Sequence, residues 1–166
     1  YAVVGGLALG SDTCGHRGAM EAGYTIAIMP CGLDMVVPSE NTGLFLQMID
    51  NGSLAISEYP IGHAPTKASY VERDRLQAGI ADGLIVLETA EDGGTMHAVR
   101  KAAELHRPIG CLSPDIVKQP GNQMLIDQYG AVAINTQNDI DAFVKSLPKR
   151  EHSVKGSILV EQSKLF

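Results

Sequence analysis

Six short runs of consecutive apolar residues recur along the chain: YAVV (1–4), TIAIM (25–29), LAIS (54–57), LIVLE (84–88), PIGCL (108–112) and AVAIN (131–135). A strand with one wet face alternates apolar and polar residues. Unbroken apolar runs of this length mark strands buried on both faces, as in a parallel sheet covered by helices on either side. Helix-like segments separate the runs. SDTCGHRGAMEAG (11–23) begins with Ser11 or Asp12 as a cap and closes on Gly23. GTMHAVRKAAELHR (94–107) places Met96, Val99 and Ala103 at helical spacing, with Arg107 in its last turn. TQNDIDAFVKSL (136–147) is capped by Thr136 or Asn138. Strand–helix alternation of this kind predicts an α/β fold: a Rossmann-like, doubly wound, mostly parallel sheet in three layers.

The 166 residues suit one such domain, assigned to 1–147. Residues 148–166, PKREHSVKGSILVEQSKLF, become polar and charged around one apolar patch and read as a tail. The chain opens directly on a strand that runs into a glycine loop. A Rossmann-like domain places a strand and helix earlier, so either the fold is short or an N-terminal part is missing. Cys14, Cys31 and Cys111 are scattered and odd in number, which argues against a disulfide framework or a zinc knuckle and for reduced thiols in a cytoplasm. No apolar run approaches about 20 residues, and the start lacks the pattern of a signal peptide. The net charge is −6. Binding of nucleic acid through bulk charge is therefore excluded, and any such binding must be local.

Three stretches carry chemistry. GGLALGSD (5–12) lies between a strand and a helix. Gly5, Gly6 and Gly10 permit a tight turn and close approach of a ligand, with Leu7, Ala8 and Ser11 completing the loop, and the following helix offers free N–H groups to an anion. Asp12 and His16 are four apart and share a helix face, so the carboxylate is placed to orient the imidazole. EDGGTMHA (91–98) is a second glycine turn, where Gly93, Gly94 and Thr95 offer two amides and a hydroxyl to an anion. Glu88 ends the preceding strand and faces the same crevice. The third stretch, KASYVERDR (67–75), is a basic loop around an aromatic ring. If 72–79 is helical, Arg73 and Arg75 diverge by about 200°. One meets the crevice while the other pairs with Glu72, Asp74 or solvent. Single-stranded nucleic acid uses this combination, a ring to stack a base and cations for the backbone. A solvated charged turn is the plain alternative. No Ser–His–acid signature, HExxH, P-loop or CxxC occurs, and neither a catalytic residue, a metal site nor a cofactor is expected.

Much of the chain resembles the DprA/Smf family. VVGGLALGSDTCGHRGAMEAGYTIAIMPCGLDMVVPSEN is similar to a family pattern of the form SGLAxGID..AHRGAL..GG.TIAVL..GLD..YP.EN. GSLAISEYPIGHAPTKASYVERDRLQAGIADGLIVLE, DGGTMHAVRKAAELHRPI and GNQMLI continue it in order over about 1–130. The resemblance implies an extended Rossmann fold and a non-enzymatic mediator of recombination. Such a protein binds single-stranded DNA, dimerises and helps load RecA during uptake of transforming DNA. The family's DNA-contacting lysine and stacking phenylalanine fall on Lys67 and Tyr70. Its arginine–asparagine–arginine falls on Arg73, Asp74 and Arg75. The departures are an aspartate for that asparagine, Val71 for a proline, and GGT for SGS. The family's opening strand with its glycine–serine–arginine motif and its winged-helix domain have no counterpart. Two related readings use the same fold. A nucleotide-binding sensor would use both glycine turns. A LOG-type phosphoribohydrolase would need a glutamate after its PGGxGT turn, where this chain has Met96, His97 and Ala98.

Overall fold

The computed structural model describes residues 1–148; nearly all of the tail assigned to 148–166 lies outside them. All six apolar runs form strands: β1 (Val3–Gly5), β2 (Thr25–Ile28), β3 (Leu54–Ile56), β4 (Leu84–Val86), β5 (Ile109–Leu112) and β6 (Val132–Ile134). Helices follow each: α1 (Ser11–Ala22), α2 (Thr42–Asp50), α3 (Lys67–Ile80), α4 (Thr95–Glu104), α5 (Pro120–Tyr129) and α6 (Gln137–Ser146). Every strand pair is parallel. The chain winds outward twice, giving one sheet of order β1-β2-β3 and another of order β4-β5-β6. In register, Val4 opposes Ile26 and Ile85 opposes Gly110. The α/β, Rossmann-like expectation is met, with the sheet in two three-stranded halves.

Each half has its own core. Leu7, Met29, Phe45 and Met48 fill one; Val86, Met96, Val99 and Leu125 fill the other. Burying each such side chain contributes about 1.5–3 kcal/mol. Gly110 lets Phe143 of α6 approach β5, since a Cβ there would lie 3.3 Å from its ring.

Four local expectations need correction. The strands are not all buried on both faces. β2 and β5, the middle strands of each half, are mostly buried, whereas Val3 of β1 and Ile85 of β4 remain 41% and 37% exposed. The α1 N-cap is Gly10 at φ 84°, without a side-chain cap, because neither Ser11 nor Asp12 precedes the helix. Helix α4 stops at Glu104, so Arg107 lies beyond its last turn, where Nη2 donates to the Gly79 carbonyl at 3.2 Å. The supposed loop at 67–75 is the start of α3. A capping box sets it: Ser69 N–H donates to Thr66 Oγ1 at 3.1 Å, and Thr66 N–H to Ser69 Oγ at 2.8 Å. Thr136 caps α6 in the same way.

Candidate nucleic-acid interface

Both glycine turns leave the C-terminal ends of the innermost strands, β1 and β4, and line one cavity of about 1380 Å³ with the inner face of α3. Ligand sites of doubly wound sheets lie at this point, where the strand order reverses. Gly5, Ala8, Ser11 and Asp12 contribute from the first turn, Glu88, Gly94 and Thr95 from the second, and Tyr70, Arg73, Asp74 and Gln77 from α3.

The first turn is held from inside. Asp12 Oδ2 accepts from the Gly6 amide at 2.6 Å and from the Ala8 amide at 3.2 Å. The carboxylate thus sits where an incoming phosphate would take those N–H groups. Leu7, fully buried at φ 61°, carries the strained step of the loop. Buried Asn41 donates from Nδ2 to the Leu7 carbonyl at 2.8 Å and to the Ala8 carbonyl at 3.2 Å. Asn122 does the matching work after β4: it donates to the Leu87 and Leu112 carbonyls at 3.0 and 2.9 Å and accepts from Thr89 N–H at 2.9 Å. In the second turn, Gly93 N–H donates to the Ala90 carbonyl at 3.1 Å, and a Cβ at Gly93 would lie 2.8 Å from Thr89 Oγ1.

His16 does not partner Asp12. It is fully buried, its Nδ1 2.7 Å from Thr25 Oγ1. The Thr25 hydroxyl donates to the Val3 carbonyl at 2.7 Å, so Nδ1 carries the imidazole proton and donates to Thr25. Burial holds the imidazole below its ordinary pKa, with Asp12 acting the other way. His16 is a packing residue under β1, away from the cavity lining.

On α3 the two arginines part as their spacing predicts. Arg73 turns inward and is 9% exposed. Its Nη1 donates to the Gly6 carbonyl at 2.7 Å and the Ile28 carbonyl at 3.1 Å, and its Nε lies 3.2 Å from Asp74 Oδ1. Burial pushes the Asp74 carboxyl up, against the pull of Arg73. The Arg73 guanidinium lies 5.6 Å from the centre of the Tyr70 ring, within cation–π range. Tyr70 is 41% exposed, so its ring is held from below and open above. Lys67 is exposed at the first position of α3, beyond the cavity lining. Arg75 turns outward into an exposed ion pair with Glu58. The structure therefore gathers Tyr70, Arg73 and both glycine turns, and leaves Arg75 on the other side of the helix.

Asn41 and Asn122 order the site, yet the sequence does not mark them, because a lone asparagine carries no spacing signal. Asp74 and Gln77 follow from Tyr70 and Arg73 by helical periodicity once α3 is known to be helical. Among the described residues, no cluster of three or more His, Cys, Asp or Glu is placed to hold a metal, and no helix is long and apolar enough to cross a membrane.

The family profile for DNA recombination-mediator protein A matches residues 1–145. The chain belongs to that family. It is 32% identical to protein Smf of Synechocystis over 96% of its own length and 40% of that protein. It is 34% identical to DNA processing protein DprA of Streptococcus pneumoniae over 83% of its length and 49% of that protein. The chain therefore spans about half or less of these relatives. Among solved structures, DNA processing protein A from Helicobacter pylori, studied for its single-stranded DNA binding mode, superposes with a TM-score of 0.79 at 29% identity, over 89% of this chain and 67% of that one. The DprA structure from S. pneumoniae gives 0.77 at 30% identity, over 90% and 52%.

Proposed function

We propose that this chain is the single-stranded DNA-binding body of a DNA-processing protein that acts in recombination and transformation. The observation that carries the reading is the crevice face of α3. The Tyr70 ring stands open over the buried Arg73 guanidinium, with exposed Lys67 one turn toward the helix start. Stacking on one ring and neutralising one phosphate need no basic surface, which reconciles DNA binding with a net charge of −6. Arg73 acts in this reading as the support of ring and turn. Arg75, paired with Glu58, lies off the DNA path. RecA and a second copy of the chain are partners that come with the reading, and neither is tied to a particular surface.

The nucleotide readings lose support at two places. Asp12 already occupies the amides of the first turn. After Thr95 come buried Met96 and then His97 and Ala98, so the helix position where the phosphoribohydrolase pattern places its glutamate holds no acid. Of the cavity carboxylates, Asp12 is bonded to the first turn and Asp74 is paired with Arg73, while Glu88 lines the cavity from beyond the end of β4 and not from the helix.

The test is fluorescence anisotropy with labelled oligo-dT and with duplex of equal length, at two salt concentrations, with AMP as competitor. Preference for the single strand, a salt slope and indifference to AMP are expected. Equal binding of both forms, or displacement by AMP, would overturn the reading.

A further inference from the structure

Lys67, Tyr70 and Asp74 are three and four residues apart on α3, which places them within about 60° of one another around the helix. Along that face the order is cation, ring, carboxylate. Lys67 is exposed at the helix start, the Tyr70 ring is half open, and Asp74 lines the crevice one turn further along. One guanidinium ties the last two together: Arg73 Cζ lies 5.6 Å from the ring centre, and Arg73 Nε lies 3.2 Å from Asp74 Oδ1. The three residues span about 10 Å of helix. A nucleotide has the same order of parts: a phosphate, then a flat base, then the hydrogen-bonding edge of that base.

Asp74 is the member of this face that single-strand binding leaves without a task. A carboxylate repels phosphates, and an asparagine holds this position in the family pattern. The Asp74 side chain is 17% exposed, and Arg73 is the one donor it meets among the described residues. The other charged groups that face it are His97 of α4 and Asp12 of the first turn. An ionised carboxylate offers about four acceptor sites and no donor, so most of its capacity is open. Burial has also stripped water from it, which is the main cause of its raised pKa. An N–H donor arriving with a ligand would replace that water.

We infer that Asp74 reads the edge of the base stacked on Tyr70 and selects bases that present an amino group over thymine. The inference rests on the single-stranded DNA reading above and adds a base preference to it. Cytosine offers its N4 amino group to a carboxylate, and adenine its N6. Thymine presents O4 at the same place, so acceptor meets acceptor and neither is satisfied. Cytosine and thymine are rings of one size and stack alike, so the difference between them isolates the edge contact. An asparagine offers both an amide N–H and a carbonyl, and accepts either pyrimidine. Aspartate in its place turns a tolerant contact into a selective one. The charge of Asp74 also orients the strand, with the backbone toward Lys67 and the base edge toward the crevice.

The test is anisotropy at neutral pH with labelled oligo-dC and oligo-dT of equal length, on the 166-residue chain and on Asp74→Asn and Asp74→Ala. The parent should bind oligo-dC tighter than oligo-dT, by about fivefold or more. Asp74→Asn should erase the difference, chiefly by tightening oligo-dT, and Asp74→Ala should bind the two alike. Equal affinities in the parent, or tighter binding of oligo-dT, overturn the inference and leave the DNA-binding reading standing. Binding of neither oligonucleotide overturns both. A cytosine preference that survives in the variants places its source elsewhere and also overturns the inference. The comparison in the parent needs no variant, so a substitution that fails to fold does not protect the inference; urea midpoints show which variants are folded.

Discussion

The carboxylate of Asp12 closes on the amide of Gly6 at 2.6 Å, and so supplies from within the anion that the first glycine turn was expected to take from outside. Asp12→Ala removes that acceptor and leaves the Gly6 and Ala8 amides open. The variant should lose about 1–3 kcal/mol in urea unfolding. It should also gain a thermal shift with inorganic phosphate that the parent chain lacks. A phosphate shift of equal size in the parent would show that the turn is open after all.

Arg73 and Gly6 form the second contact on that turn. Arg73→Met leaves the Gly6 and Ile28 carbonyls without their donor, and about 3 kcal/mol of stability should go with it. Arg73→Lys should not restore the loss, since an ammonium lacks the planar fork. Gly6→Ala should be as damaging, because its Cβ would collide with the buried Arg73 guanidinium. Chemical denaturation of the three variants checks this; a loss under 1 kcal/mol in Arg73→Met would mean water replaces the guanidinium.

Tyr70 and Arg75 divide the two sides of α3. Tyr70→Ala should cost on the order of 1–3 kcal/mol in affinity for oligo-dT. Lys67→Ala should flatten the salt slope by about 0.7. Arg75→Ala should change neither, given its outward pairing with Glu58. Anisotropy titrations at several salt concentrations separate these outcomes. A loss confined to Arg75→Ala would put the DNA on the outer face.

His16 makes stability depend on pH. Burial sets its folded pKa below the ordinary 6.5, so the unfolded chain binds the proton more tightly. Its contribution is full above pH 6.5 and falls as pH drops through that value toward the folded pKa. Urea midpoints measured from about pH 7.5 to about pH 5 should decline, and His16→Gln should show a shallower decline. Parallel profiles would remove His16 as the cause.

Asn122 joins the loop after β4 to the end of β5. Asn122→Ala leaves the Leu87 and Leu112 carbonyls and the Thr89 amide unpaired, at a cost of about 3 kcal/mol. Amide exchange at Thr89 should quicken more than exchange in β2. Uniform quickening would mean a global loss and not a local one.

The sequence by itself determined the strand positions, the parallel α/β class, the two glycine turns and the family, because each rests on local signals: unbroken apolar runs, helical spacing, glycine beside a strand end. Even the divergence of Arg73 and Arg75 was legible, since helical geometry alone separates them. Which arginine goes inward was not. That depends on the Gly6 and Ile28 carbonyls, brought to α3 from 67 and 45 residues away by the winding of the sheet. The same holds for Asp12, whose nearest acceptor duty proved to be the turn and not His16, and for Asn41 and Asn122, whose partners belong to other elements.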